Sequence, residues 1–91
     1  VSRSKEEYLS AKQRQSELRK YERRLKLNAE ETQQIEERLT DISEEMHGEA
    51  ATDHVRLAEL YEEQQALEAR LLQLYEEADY LASNPPGGEP S

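Results

Sequence analysis

The sequence predicts an all-α fold, an antiparallel two-helix coiled-coil hairpin. Three observations carry this. Ala, Leu, Glu, Lys and Arg fill 51 of the 91 positions, with only three Gly and three Pro, the composition of long helices. Apolar residues recur at alternating four- and three-residue spacings through two long stretches, the heptad pattern of a coiled coil. A single glycine-centred break separates the two stretches.

The first helix is expected over about 5–46. Ser4 and Glu7 fit a capping box, in which the hydroxyl caps the first turn and the carboxylate reaches back. Nothing then interrupts the helix before Gly48, and Asn28 and Thr32 are only weak points. Its seam reads Ala11, Leu18, Tyr21, Leu25, Asn28, Thr32, Ile35, Leu39, Ile42 and Met46, with Arg14 breaking the early part. Such a helix would be about 60 Å long. His47-Gly48 is expected to end it, because Gly is favoured just past a helix end.

Thr52 or Asp53 then caps a second helix over about 53–82. Its seam reads Leu57, Leu60, Gln64, Leu67, Leu71, Leu74, Ala78 and Leu81. Asn84-Pro85-Pro86-Gly87-Gly88 stops it, and 84–91 is expected to be a disordered tail. The organisation predicted is therefore an overhang of the first helix over 1–17, a hairpin over 18–83 with its turn at about 47–53, and the tail.

Charge selects the register. With Leu18 at position a, the g positions of an antiparallel pair flank the seam. If Ile42 faces Leu57 and Leu18 faces Leu81, the g pairs are Glu45–Arg56, Arg38–Glu63, Glu31–Arg70 and Arg24–Glu77, all opposite in sign. A shift that puts Met46 against Leu60 gives Glu45–Glu63, Arg38–Arg70 and Glu31–Glu77, all repulsive. The first register is adopted. It also centres the turn near Ala50, and it sets Glu22 beside Tyr75 and Glu36 beside Tyr61. Asn28 and Thr32 then face Leu71 and Leu67, where polar seam residues fix register at some cost in stability.

Composition excludes much. Phe, Trp and Cys are absent, so a compact aromatic core, disulfides and a cysteine nucleophile are ruled out. No apolar run approaches the length of a membrane span and no signal peptide opens the chain, which predicts a soluble, cytoplasmic protein. His47 and His54 flank the turn at a spacing that matches no standard metal-ligand pattern. The many carboxylates lie on a hairpin without an enclosed pocket to shift their pKa values, so the fragment is not expected to be an enzyme. It has no Gly-rich phosphate loop and needs no cofactor of its own.

The net charge of −9 hides a division. Residues 1–26 carry nine basic and four acidic side chains, a net of +5; residues 27–91 carry three basic and seventeen acidic, a net of −14. Only the first segment attracts nucleic acid. Within it Lys12, Arg19 and Lys26 fall at b, Lys20 at c and Arg23 at f, outward positions that form a stripe able to meet phosphates. The plain alternative is a solvated face of the kind any coiled coil carries. Arg24 is assigned to Glu77 instead. Tyr61 and Tyr75 cover the seam edge, and the glutamates around them argue against base stacking.

The run Ser4-Lys-Glu-Glu-Tyr-Leu9, the basic stretch Lys12 to Arg24, the acidic heptads, the short turn and the phrase Leu57-Ala-Glu-Leu-Tyr-Glu-Glu63 together resemble one known arrangement. They are similar to the C-terminal coiled-coil domain of the ABC-F family (Uup-like members), soluble duplicated ATP-binding-cassette ATPases. The resemblance covers about residues 4–82, and its most specific part is the basic-then-acidic order. It implies two upstream ATPase domains in the same chain, which would hold ATP and Mg, and a parent acting on ribosomes during translation. It also implies a non-catalytic accessory module that contacts nucleic acid, DNA or ribosomal RNA, through Lys12, Arg19, Lys20, Arg23 and Lys26. The net acidity of the chain departs from a strongly basic binding module. The competing class is a protein-interaction hairpin with no nucleic-acid role. No membrane partner is expected, and the overhang is open to packing in a larger protein or to pairing two copies of the isolated fragment as a homodimer.

Overall fold

The computed structural model describes residues 2–87, with side chains from Ser4 onward. Two helices, α1 (Ser2–His47) and α2 (His54–Ser83), lie antiparallel in a rod of 75 × 21 × 15 Å. The all-α hairpin is as the heptads predict. α1 starts earlier than expected, so Ser4 lies inside the helix rather than capping it. Ser2 and Arg3 contain no helix breaker, and a serine in a helix interior costs only a few tenths of a kcal/mol (~0.5).

The turn is built from backbone groups. The Glu45 carbonyl accepts from Gly48 N at 3.2 Å and Ala50 N at 2.9 Å, and Asp53 N donates to Ala50 O at 3.0 Å. Gly48 is needed for space, not for a left-handed conformation: among the described residues only Gly87 has positive φ. A Cβ on Gly48 would sit 3.0 Å from the Glu44 carbonyl oxygen. Asp53 caps α2, its side chain accepting from Arg56 N at 3.0 Å. Ala50 tucks under the loop, buried with Ile42 and Leu60, and Met46, Leu57 and Leu67 pack around them.

The seam is buried as the heptads require. Ile35, Ile42, Leu60, Leu74 and Leu81 are at most 6% exposed. Burial weakens toward the open end, where Leu25 is 38% and Leu18 46% exposed, because α2 ends there while α1 continues. Asn28 is buried and its amide donates across the seam to the Leu74 carbonyl at 2.9 Å. Tyr21 Oη donates to the Leu81 carbonyl at 2.6 Å, satisfying one of the acceptors a helix C-terminus leaves open. Asn84 follows as the cap, and Pro86 is half-buried ahead of Gly87 at φ 66°. The remainder of the expected tail, 88–91, lies outside the described residues.

Three of the four expected g pairs form, each with two hydrogen bonds. Arg38 meets Glu63 at 2.6 and 2.7 Å, Arg70 meets Glu31 at 2.6 and 2.8 Å, and Arg56 Nη2 meets Glu45 at 3.0 Å beside a shorter Nε contact. The alternative register would have put like charges together at these positions. The fourth pair, Arg24–Glu77, does not form. Glu77 accepts from the Asn28 amide at 3.2 Å instead, because the bond to Leu74 holds that amide alongside it. Tyr75 donates to Glu36 at 3.4 Å, not to Glu22. Helical side chains lean toward their own N-terminus, so in an antiparallel pair both lean and the contact skips along the rod.

The bridges make a pH prediction. Hydrogen bonds from Arg70, Arg56 and Arg38 hold Glu31, Glu45 and Glu63 below the usual carboxylate value. A depressed folded-state pKa gives stability that is present above the unfolded value and lost as pH falls through the folded one. Urea midpoints should therefore hold from neutral pH down to about pH 5 and fall below about pH 4. A variant with Arg38, Arg56 and Arg70 changed to Gln should lose much of this acid sensitivity; an unchanged profile would show that the bridges are not its source.

Thr32 adds a second prediction. Its hydroxyl is shut off from solvent and has no hydrogen-bond partner, at a seam position. An unpaired buried hydroxyl costs about 1–3 kcal/mol. Thr32→Val should raise stability by about 1 kcal/mol in chemical denaturation. A loss of stability would mean that the hydroxyl is satisfied in solution.

Candidate nucleic-acid interface

A straight helix advances 100° per residue, so Lys12, Arg19, Arg23 and Lys26 fall within an arc of about 60°, over about 21 Å of axis. All four are exposed, as is Lys20. The stripe predicted from sequence is thus one face of α1 with its ammonium and guanidinium groups in solvent. Among the described residues its only carboxylate approach is Lys26 to Glu30, at 4.0 Å and with both side chains more than half exposed. Three basic residues of the distal half, Arg38, Arg56 and Arg70, are engaged in the seam-edge bridges. Charge therefore divides by role: arginines in two-point bridges hold the hairpin closed, and solvent-facing cations collect on the proximal half of α1.

Lys20 departs from the stripe by roughly a quarter-turn. It lies with Arg24 over the end of α2, in a shallow cleft also lined by Glu17, Tyr21, Tyr80 and Pro86. Arg24 was assigned to Glu77 by charge; with Glu77 taken by Asn28, Arg24 has no carboxylate partner among the described residues and adds a cation beside Lys20.

Tyr8, which the sequence places in the overhang with Leu9 and Ala11 as a residue open to packing elsewhere, also lies on the face of the stripe. It is 65% exposed and shares a surface depression with Ala11, Lys12, Gln15 and Arg19. Tyr8, Lys12 and Arg19 are spaced so that they fall on one face of a helix. An exposed aromatic between cations offers a stacking platform to an unpaired base.

The remaining candidates are placed as follows. His47 Nδ1 lies 2.7 Å from the Ser43 carbonyl, one turn back in its own helix. Among the described residues no group of three or more His, Cys, Asp or Glu side chains is placed to hold a metal ion, and no helix is long and apolar enough to cross a membrane. Tyr61, Leu72 and Tyr75 are 56%, 59% and 46% exposed, on the flank opposite the three arginine bridges. No family model, curated protein or solved structure matches the chain.

Proposed function

We propose that this chain is a non-catalytic accessory hairpin that contacts nucleic acid weakly through Lys12, Arg19, Lys20, Arg23 and Lys26, in the manner of the C-terminal domain of a cytoplasmic ABC-F ATPase. The observation that carries the reading is the segregation of charge: exposed cations on one end of one helix, held by no carboxylate beyond the 4.0 Å approach of Lys26 to Glu30 among the described residues, with acidic residues over the rest. Phosphate contact by such a stripe is electrostatic and releases counterions. The contacts proposed are to phosphate and not to base edges, so sequence preference is slight. The acidic distal half orients the rod, holding it away from phosphate while the proximal half engages. Tethered beside two ATPase domains, a weak contact is raised to a high effective concentration. The ligand is DNA or ribosomal RNA, both of which present the same phosphate backbone.

A protein-interaction hairpin is the second reading, favoured by the exposed Tyr61, Leu72 and Tyr75 on the flank without bridges. Titration of labelled duplex DNA and RNA at low salt separates the two. Binding of either supports the nucleic-acid reading; absence of binding to both passes the function to the protein-interaction flank.

A further inference from the structure

The outward face of α1 changes sign along its length. Positions b and f alternate at four- and three-residue spacings, as a and d do, so they form a second continuous seam on the solvent side. Its proximal half holds Lys12, Arg19, Arg23 and Lys26; its distal half holds Glu30, Glu37 and Glu44, all exposed. The distal carboxylates have no cation of their own half to meet them, because Arg38, Arg56 and Arg70 are each committed to a bridge on the g flank. Among the described residues Lys26 approaches Glu30 at 4.0 Å, and Glu37 accepts from the neutral Gln33 amide at 3.2 Å.

We infer that the α1 outward face is the interface of a symmetric, antiparallel, salt-sensitive dimer of this chain. Laying a second copy on the face about a twofold axis near residue 28 sets Lys26 opposite Glu30, Arg19 opposite Glu37 and Lys12 opposite Glu44. Symmetry makes each pair occur twice. Arg23 meets the neutral Gln33. A shift of one heptad in one direction leaves only Lys26–Glu37 and Arg19–Glu44; a shift in the other keeps Lys5–Glu44, Lys12–Glu37 and Arg19–Glu30 but sets Lys26 against Arg23 twice over. Charge sets aside the first shift, and the apolar contact of Leu27 with its own copy, which only the twofold near residue 28 makes, selects between the other two.

Two further residues fit this register. Leu27 is 52% exposed although it belongs to no seam of the hairpin, and it falls at the flanking position where it meets Leu27 of the second copy across the axis. Glu22 and Glu36 are the like-charged flank of this arrangement, and Glu36 is drawn toward its own hairpin by the Tyr75 hydroxyl at 3.4 Å. The overlap uses nearly the whole of α1. It occupies Lys12, Arg19 and Lys26, so self-association and phosphate contact exclude each other, but the dimer stands on charge geometry alone and does not depend on the nucleic-acid reading.

Sedimentation velocity on the whole chain tests it. The wild type should sediment as a dimer at low salt and as a monomer at high salt, where exposed ion pairs are screened. Two reversed variants, Glu30→Lys with Glu37→Lys and Glu44→Lys, and Lys12→Glu with Arg19→Glu and Lys26→Glu, should each be monomeric alone at low salt and associate when mixed. The chain has no cysteine, so Leu27→Cys in the otherwise unchanged protein gives a single thiol, and a short bis-maleimide should join two copies at low salt but not at high salt. This crosslink decides the matter by itself if circular dichroism shows a reversed variant unfolded. A wild type that stays monomeric at low salt, a reversed variant that dimerises alone as the wild type does, folded variants that fail to associate on mixing, or a crosslink indifferent to salt would each overturn the dimer.

Discussion

Leu60→Ala should unfold the hairpin at room temperature. Leu60 is fully buried, at the centre of the cluster with Ile42 and Ala50 that ties the turn to both helices. Truncating a buried leucine costs about 2–5 kcal/mol, the transfer term plus the cavity left behind. A domain of this size rests on a few kcal/mol in total (~3–5), and here the core is a single row of side chains with no second layer to collapse into the gap. Far-UV circular dichroism in a urea series should show the variant largely unfolded without denaturant. Leu72→Ala is the control: Leu72 is 59% exposed, and its loss should change stability by no more than about 0.5 kcal/mol. Equal effects from the two substitutions would mean that the buried seam does not carry the fold.

Changing Arg19, Lys20 and Arg23 together to Glu should abolish nucleic-acid binding while leaving the hairpin intact. The three side chains are exposed and none takes part in the seam-edge bridges, so helicity and the urea midpoint should stay close to wild type. The substitution removes three of five phosphate contacts and replaces them with carboxylates facing a polyanion. Affinity should fall by more than about tenfold at low salt, since each contact contributes through the counterions it displaces. Arg24→Glu alone should also weaken binding if the cleft with Lys20 meets phosphate, although charge pairing by sequence had withdrawn it from the surface. If the triple variant binds as the wild type does, the stripe is only a solvated face.

Most of this fold is legible in the sequence because a coiled coil repeats one local rule. Heptad spacing located both seams, and pairing of g charges located three bridges whose residues are up to 39 apart. The two misplaced pairings share a cause: each is a side chain answering to something other than its heptad letter. Glu77 went to Asn28, whose position is set by a backbone carbonyl on the other helix. Tyr75 reached Glu36 because long side chains lean along the rod. Gly48 does follow the end of α1, as the preference for glycine there predicts, and the Glu44 carbonyl 3.0 Å from where a Cβ would sit adds a reason of space. Ser4 lies within α1 because nothing before it stops a helix. At the candidate interface, the exposed stripe was legible from its b, c and f positions, whereas Arg24 became a candidate only when its expected partner was seen bonded elsewhere. Tyr8 required the helix face to be drawn before its place beside Lys12 and Arg19 was visible.

The central claim is that a short row of cations on α1 meets phosphate, and the salt dependence of binding tests it most directly. Labelled duplex DNA is titrated across a range of salt concentrations with the whole chain held dilute enough to sediment as a monomer throughout, and the logarithm of the affinity is plotted against the logarithm of salt. Five phosphate contacts give a slope of about −4 to −5, with binding that fades sharply between low and physiological salt. A slope near zero, or no binding even at the lowest salt, would contradict the account.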